Sequence, residues 1–130
     1  MSTTRAIPRP DRGLERNAYT HLTYAVAERI RDRAGLDTRG MAAFLGVSEK
    51  TYGRRFDEGV LKAAESLKLE MLERVMDTAC EVFPDQATVR RWLHTPVVGL
   101  GNATPFETLT SISGYERVRN SLYQLAHGMF

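Results

Sequence analysis

Residues 38–56 read TRGMAAFLGVSEKTYGRRF, and the spacing inside this stretch sets the expected fold. Met41 and Leu45 lie four apart, on one face of a short helix running from Thr38 to Gly46. Gly46 can take the positive φ that a tight turn needs. Val47 supplies an apolar anchor for the turn, and Ser48 stands where a side-chain oxygen caps a second helix reaching about Glu58. Ala42 is small where the two helices cross. Tyr52 and Phe56, four apart, are expected on the inward face of the second helix with Met41 and Leu45. This is the internal grammar of a helix-turn-helix.

The outward face of the second helix is then expected to carry Glu49, Lys50, Thr51, Arg54 and Arg55. Lys and Arg reach phosphates or guanine edges, while Thr or Glu can discriminate neighbouring bases. With Ser48 at the helix start and Arg39 on the preceding helix facing the DNA backbone, these are the candidate DNA-binding residues. The plain alternative is a helical hairpin with a solvated charged rim. Gly53 runs against the pattern, since a mid-helix glycine costs about 1 kcal/mol relative to alanine and offers no side chain to a base.

Working outward, residues 17–35 have helical apolar spacing through Leu22, Ala25, Val26 and Ile30, stopping at Gly35. A long helix is expected from about Leu61 to Phe83. Its buried stripe is Ala64, Leu67 or Lys68, Met71, Leu72, Val75, Met76, Ala79 and Phe83, with Glu70 and Arg74 one turn apart outside. Asp85 opens a short helix that closes before Pro96. The glycine-rich PVVGLGNATP follows, and Pro96–Leu100 is a candidate for local extension. Thr104-Pro-Phe-Glu107 then has the order of a capping box with proline at the first helical position. Ser113-Gly-Tyr-Glu116 reads as the same device. Two helices are expected, at about 105–111 and 114–127, with Gly128 as the stop. No useful period-two segment occurs, so the fold class is all-α.

The 130 residues, 42% of them hydrophobic, suit one compact unit. The net charge of +2 conceals an asymmetry. Residues 1–62 hold 12 Lys/Arg against 8 Asp/Glu and residues 63–130 hold 6 against 8, so a polyanion is expected to meet the first half. Residues 1–16 combine Pro8, Pro10 and Gly13 with four arginines and read as a flexible basic arm. The expected division is this arm, a helix-turn-helix region with its long connecting helix at 17–84, and a C-terminal domain at 85–130. Cys80 is the only cysteine, so no intrachain disulfide and no zinc-site spacing is available. The opening lacks the apolar segment of a leader, and no run of about 18 apolar residues occurs. A cytoplasmic protein with no membrane contact is the expectation.

The stretch ATVRRWLHTPVVGLGNATPFETLTSISGYERVRNSLYQLAHGMF resembles the toxin-binding domain of Xre/MbcA/ParS antitoxins, which accompany RES-domain toxins. The matching features are Trp92-Leu93 before a proline turn, Leu100-Gly101, Thr104-Pro105 opening a short helix with Leu109, then Gly114, Val118, Leu122 and His127-Gly128. The resemblance covers about residues 17–130, with the helix-turn-helix where that family carries its Xre-like region. It implies an antitoxin that neutralises an NAD-consuming or ADP-ribosylating RES toxin, the C-terminal helix and tail occluding the toxin's active site. It further implies operator binding with repression of its own operon, and a homodimer or a higher hetero-oligomer with the toxin. Carried over, the toxin-binding residues are Tyr123, Ala126, His127, Gly128, Met129 and Phe130, while Trp92, Pro105 and Gly114 shape the domain. The chain departs from the family at Gly53 and at GVLKAAESL, residues 59–67, which lacks a proline-containing helix start.

The physics of the tail adds its own argument. Met129 and Phe130 directly follow a helix-stopping glycine, and exposed apolar groups mark interaction sites. The competing reading folds them back on the core. A stand-alone regulator whose C-terminal domain only oligomerises is the alternative function. Catalysis is not expected. His21, His94 and His127 lie in separate segments with no metal-ligand spacing, and Cys80 falls beside the long helix's apolar stripe. The segment from Gly99 to Thr104 lacks the third glycine and lysine of a phosphate loop. No catalytic residue, cofactor or metal is therefore assigned.

Overall fold

The computed structural model describes residues 21–128, over which the chain forms seven α-helices and one short 3-10 turn. The expected arm at residues 1–16, residues 17–20, Met129 and Phe130 lie outside the described residues.

Helix α1 spans Tyr24–Arg33 and begins later than the spacing from Asn17 predicts. Residues 22–24 are held otherwise: the Leu61 N–H donates to the Leu22 carbonyl (2.8 Å) and the Tyr24 N–H to the Gly59 carbonyl (3.0 Å). A backbone paired across the chain cannot also continue a helix, and Thr23 instead caps α1 through the Val26 N–H. Ala27 and Ile30 are buried, and Gly35, at φ +73, ends the helix as expected. Helices α2 (Thr38–Leu45) and α3 (Glu49–Glu58) are joined at Gly46, whose φ of +77 suits the residue with no Cβ. The Val47 N–H reaches back to the Ala42 carbonyl (3.0 Å), closing α2 in the manner of a Schellman turn.

Helix α4 spans Ala63–Val82. Its start has no proline. Instead the Glu65 carboxylate accepts the Lys62 N–H (3.0 Å), and the Ser66 hydroxyl donates to the Lys62 carbonyl while accepting the Leu22 N–H, both at 2.9 Å. Met71, Leu72, Val75, Met76 and Ala79 form the buried stripe as expected. Its beginning differs: Ala64 is exposed, Leu67 and Lys68 are half-buried, and Glu65, Ser66 and Leu69 take the inward positions. Lys68 donates to the Phe44 carbonyl (3.3 Å). Phe83 caps the helix end, half-buried against Trp92. Glu70 and Arg74 are also half-buried, where an exposed pair was expected. Burial holds the Glu70 carboxyl above its ordinary range, with Arg74 opposing the shift.

Helix α5 (Gln86–Leu93) is opened by Asp85, whose carboxylate accepts the Thr88 N–H (2.8 Å). Val97 is extended and pairs with Ala103, while Val98–Leu100 winds into the 3-10 turn. The capping box of α6 (Pro105–Thr108) is complete, since Thr104 and Glu107 exchange side-chain to backbone hydrogen bonds of 2.9 Å. Helix α7 runs over Ile112–Ala126 and is capped by Ser111, not Ser113. The cause is packing at Gly114, where a Cβ would stand 1.9 Å from the Thr108 carbonyl oxygen. That approach brings the start of α7 down onto α6.

Helix α4 serves both halves, packing on α1, where Arg29 pairs with Glu73 and Arg33 with Asp77, and most extensively on α7. The core is continuous between the halves. Phe44 of α2 stacks on Phe106 of α6 (5.0 Å between centroids), and His94 both contacts Phe106 and donates through Nε2 to the Ala34 carbonyl (2.9 Å). Arg90 donates to the Arg33 carbonyl (3.2 Å). Among the described residues no helix is long and apolar enough to cross a membrane.

Candidate functional site

The residues expected to contact DNA do not share one environment. Arg39, Ser48, Glu49, Lys50 and Arg54 are exposed on α2, α3 and the turn between them, and Thr51 is half-buried beside them. Arg39 and Glu49 face each other across the turn at 3.6 Å, an open pair that screening weakens. Ser48 accepts the Thr51 N–H and shares a hydroxyl hydrogen bond with Thr51, both at 3.0 Å, so Ser48 acts first as the helix cap. Arg54 donates to the Thr51 hydroxyl (3.3 Å), its guanidinium lying along the same face as Lys50.

Arg55 corrects the expectation. It is 5% exposed, and its guanidinium is spent inside the protein. Nε and Nη2 donate to the two oxygens of Glu65 at 2.9 and 2.8 Å, and Nη1 donates to Glu58 at 3.0 Å. The bidentate fork holds the Arg55 guanidinium protonated well beyond its ordinary range, while the same hydrogen bonds pull the Glu65 carboxyl below its own. Arg55 therefore fastens the second helix of the motif to the start of α4 and has no free donor face for a base. Phe56 is the reciprocal correction: expected inward, it is 68% exposed, with its ring edge-to-face against that of Tyr24 at 5.5 Å between centroids. Tyr52 does face inward, donating its hydroxyl to Glu28 at 2.7 Å. Burial and that carboxylate push its ionisation up.

Periodicity could not reveal the Arg55–Glu65 pair, because the partners sit on different helices. One signal was available, a Glu at the third position of α4 where no Ser, Thr, Asp or Asn precedes the helix.

At the other end, Tyr123, Ala126, His127 and Gly128 are all exposed at the close of α7. The Tyr123 and His127 rings lie 4.2 Å apart, one turn from each other. They border a groove of about 570 Å³ between α4 and α7, to which Glu81 and Glu116 bring negative charge and Arg119 positive. Arg119 also lies over the Tyr115 ring at 5.6 Å. The groove has polar and apolar lining, suited to a protein surface with both. Trp92, Pro105 and Gly114 are partly or fully buried in the same half, consistent with shaping it.

The three histidines stay apart. His21 pairs through Nδ1 with the Leu61 carbonyl (2.6 Å), His94 sits at the junction of the halves, and His127 is on α7. Cys80 is half-buried, its sulfur accepting from Gln86 at 2.9 Å and from Arg33 at 3.5 Å. No cluster of three or more His, Cys, Asp or Glu able to hold a metal forms among the described residues.

A helix-turn-helix joined through one long helix to a compact helical domain, with exposed basic residues on the first and an open groove on the second, defines a two-surface binding protein. Comparison with known proteins makes the class specific. Residues 21–74 match the family model of the antitoxin Xre-like helix-turn-helix domain, and residues 78–128 match that of the antitoxin Xre/MbcA/ParS C-terminal toxin-binding domain. Similar proteins include an antitoxin Xre of Photorhabdus laumondii, 28% identical over 110 residues that cover 83% of this chain and 74% of the relative. An antitoxin Xre of Yersinia enterocolitica is 33% identical over 78 residues, covering 59% of this chain and 53% of that protein. The chain belongs to the Xre/MbcA/ParS antitoxins. It carries the family's DNA-binding motif and its toxin-binding domain.

Proposed function

We propose that this chain neutralises a RES-domain toxin, an NAD-consuming or ADP-ribosylating enzyme. In this reading the end of α7, through Tyr123, Ala126, His127 and Gly128, and the following Met129 and Phe130 occlude the toxin's active site. Through α2 and α3 the chain represses its own operon in the cytoplasm, with Arg39, Ser48, Glu49, Lys50, Thr51 and Arg54 against the DNA. Assembly is as a homodimer or as a larger complex with the toxin. We place the boundary between the halves at residues 84–85, where α4 has ended and Asp85 caps α5.

The observation that carries the reading is the Tyr123–His127 ring pair, exposed beside an open groove instead of packed on the chain's own core. An aromatic pair standing in water is well placed to be desolvated by a partner. The test follows NAD loss catalysed by the toxin encoded beside this chain. The full chain should suppress it, and a chain lacking Met129 and Phe130 should suppress it less while binding operator DNA as before. Equal suppression by the shortened chain contradicts occlusion. NAD loss untouched by the full chain would leave a DNA-binding regulator whose C-terminal half only oligomerises.

A further inference from the structure

A second groove lies on the other side of α7. It has a volume of about 740 Å³ between α5, the turn at residues 96–99 and α7, and Phe83, Trp92, Val97, Val98 and Leu125 give it a mostly apolar lining, with Arg91 at its edge. Tyr123, Ala126 and His127 line the first groove and take no part in this one.

Its wall is rigid. Val98 is 86% exposed, yet the segment that carries it is closely tied. Val97 and Ala103 pair, the Leu100 and Asn102 N–H groups both donate to the Val97 carbonyl (2.9 and 3.0 Å), and Leu100 is buried as the anchor. Gly101 and Asn102 take positive φ to close the turn. A valine held in water on a hydrogen-bonded turn forms a site before any partner arrives, so little ordering entropy opposes docking. The floor is equally fixed, because Trp92 packs on Phe83 at 5.7 Å between centroids.

We propose that this groove is a second docking site for the toxin, taking an aromatic or branched apolar side chain with a carboxylate within reach of Arg91. The inference rests on the reading of this chain as a toxin-binding antitoxin. Two observations favour the toxin as occupant. Every residue named in the groove falls within 78–128, the segment matching the toxin-binding domain. The groove also shares α7 with the exposed ring pair: Ser121, Gln124 and Leu125 line it, while Tyr123 and His127 line the groove on the opposite flank. Helix α7 is thus a ridge with a recess on each side, and a partner that covers its end can grip both. The chemistry follows from the lining, since an apolar recess rewards burial of apolar surface and the exposed guanidinium pairs with an anion at the rim.

Val98→Glu tests this directly, because the side chain stands in solvent and the substitution leaves the core intact. Against the toxin encoded beside this chain, Val98→Glu should weaken affinity by about tenfold or more, the range of a moderate interface anchor. The melting temperature, the operator affinity and the mass of the free chain in solution should stay at wild-type values. Arg91→Ala should weaken toxin binding about threefold at low salt, the effect fading as salt rises. Wild-type toxin affinity in Val98→Glu overturns the proposal. So does a changed mass of the free chain with toxin affinity intact, which would make the groove a contact between two copies of this chain. If Tyr123→Ala weakens toxin binding and Val98→Glu does not, this inference alone falls. If the unaltered chain fails to bind the toxin at all, the proposed function falls with it.

Discussion

In the helix-turn-helix half a charged side chain, Arg55, is buried between carboxylates, whereas in the toxin-binding half an apolar one, Val98, stands in solvent on a hydrogen-bonded turn. Each placement is the opposite of what residue type alone suggests, and each has a local cause. Arg55 meets a carboxylate supplied by α4 at a position where a guanidinium fork fits both oxygens. Val98 meets nothing that would cover it. The difference teaches that charge near a recognition helix overstates its DNA contacts, while apolar content in a binding domain overstates its core.

The largest effect should come from breaking the buried pair. Arg55→Ala leaves the Glu65 carboxylate enclosed without its counter-charge, and stability should fall by about 3–5 kcal/mol in denaturant unfolding. The pair also has a pH signature. Because Arg55 holds the folded-state carboxyl of Glu65 below its ordinary value of 4.5, the stabilisation is complete above that pH and fades as pH falls toward the depressed value. Arg55→Ala should remove that part of the acid loss. A stability change within about 0.5 kcal/mol, the range of ordinary surface substitutions, would return Arg55 to the surface and erase the contrast.

In the other half the equivalent stress is Gly114→Ala, which sets a methyl against the Thr108 carbonyl oxygen. Forcing α7 away from α6 should cost about 1–3 kcal/mol, as overpacked sites do. Toxin affinity should fall with it, and operator affinity less. Unchanged thermal unfolding would show that α6 and α7 separate freely.

Smaller, and specific to DNA, is Arg54→Ala. Arg54 remains exposed once Arg55 is accounted for, so operator affinity should drop and the slope of log affinity against log salt should lessen by about 1. An unaltered slope would move the phosphate contact to Lys50 or Arg39. The smallest effect, and the only gain, is expected at Gly53. A Cβ there meets nothing within 4 Å, so Gly53→Ala should stabilise by about 0.5–1 kcal/mol. If operator binding is lost while stability rises, DNA approaches the backbone at that point.

Much of the fold was legible where the physics is local. Asp85, Thr104 with Glu107, and Ser48 cap their helices as their chemistry dictates, and Gly35, Gly46 and Gly128 close helices at positive φ. The spacing of Met71, Leu72, Val75, Met76 and Ala79 identified the stripe of α4. Less legible was the start of α1, where pairing of residues 22–24 with 59–61 displaces helix, and the cap of α7, where contact with Thr108 decides between two serines. The candidate DNA face was readable as a set of neighbours on one helix, but not which member turned inward. Neither groove had a sequence signature, because each lies between α7 and segments distant from it in the chain.

By itself, then, the sequence determined the helices and most of their ends, since caps, turns and apolar spacing act within one or two turns of the backbone, and it carried the motifs by which the chain resembles its family. Tertiary structure alone decided that Arg55 faces Glu65 while Phe56 faces water, and that α7 stands between two recesses. Those outcomes depend on which group arrives from another helix, and a charge is buried only where its partner is brought to meet it.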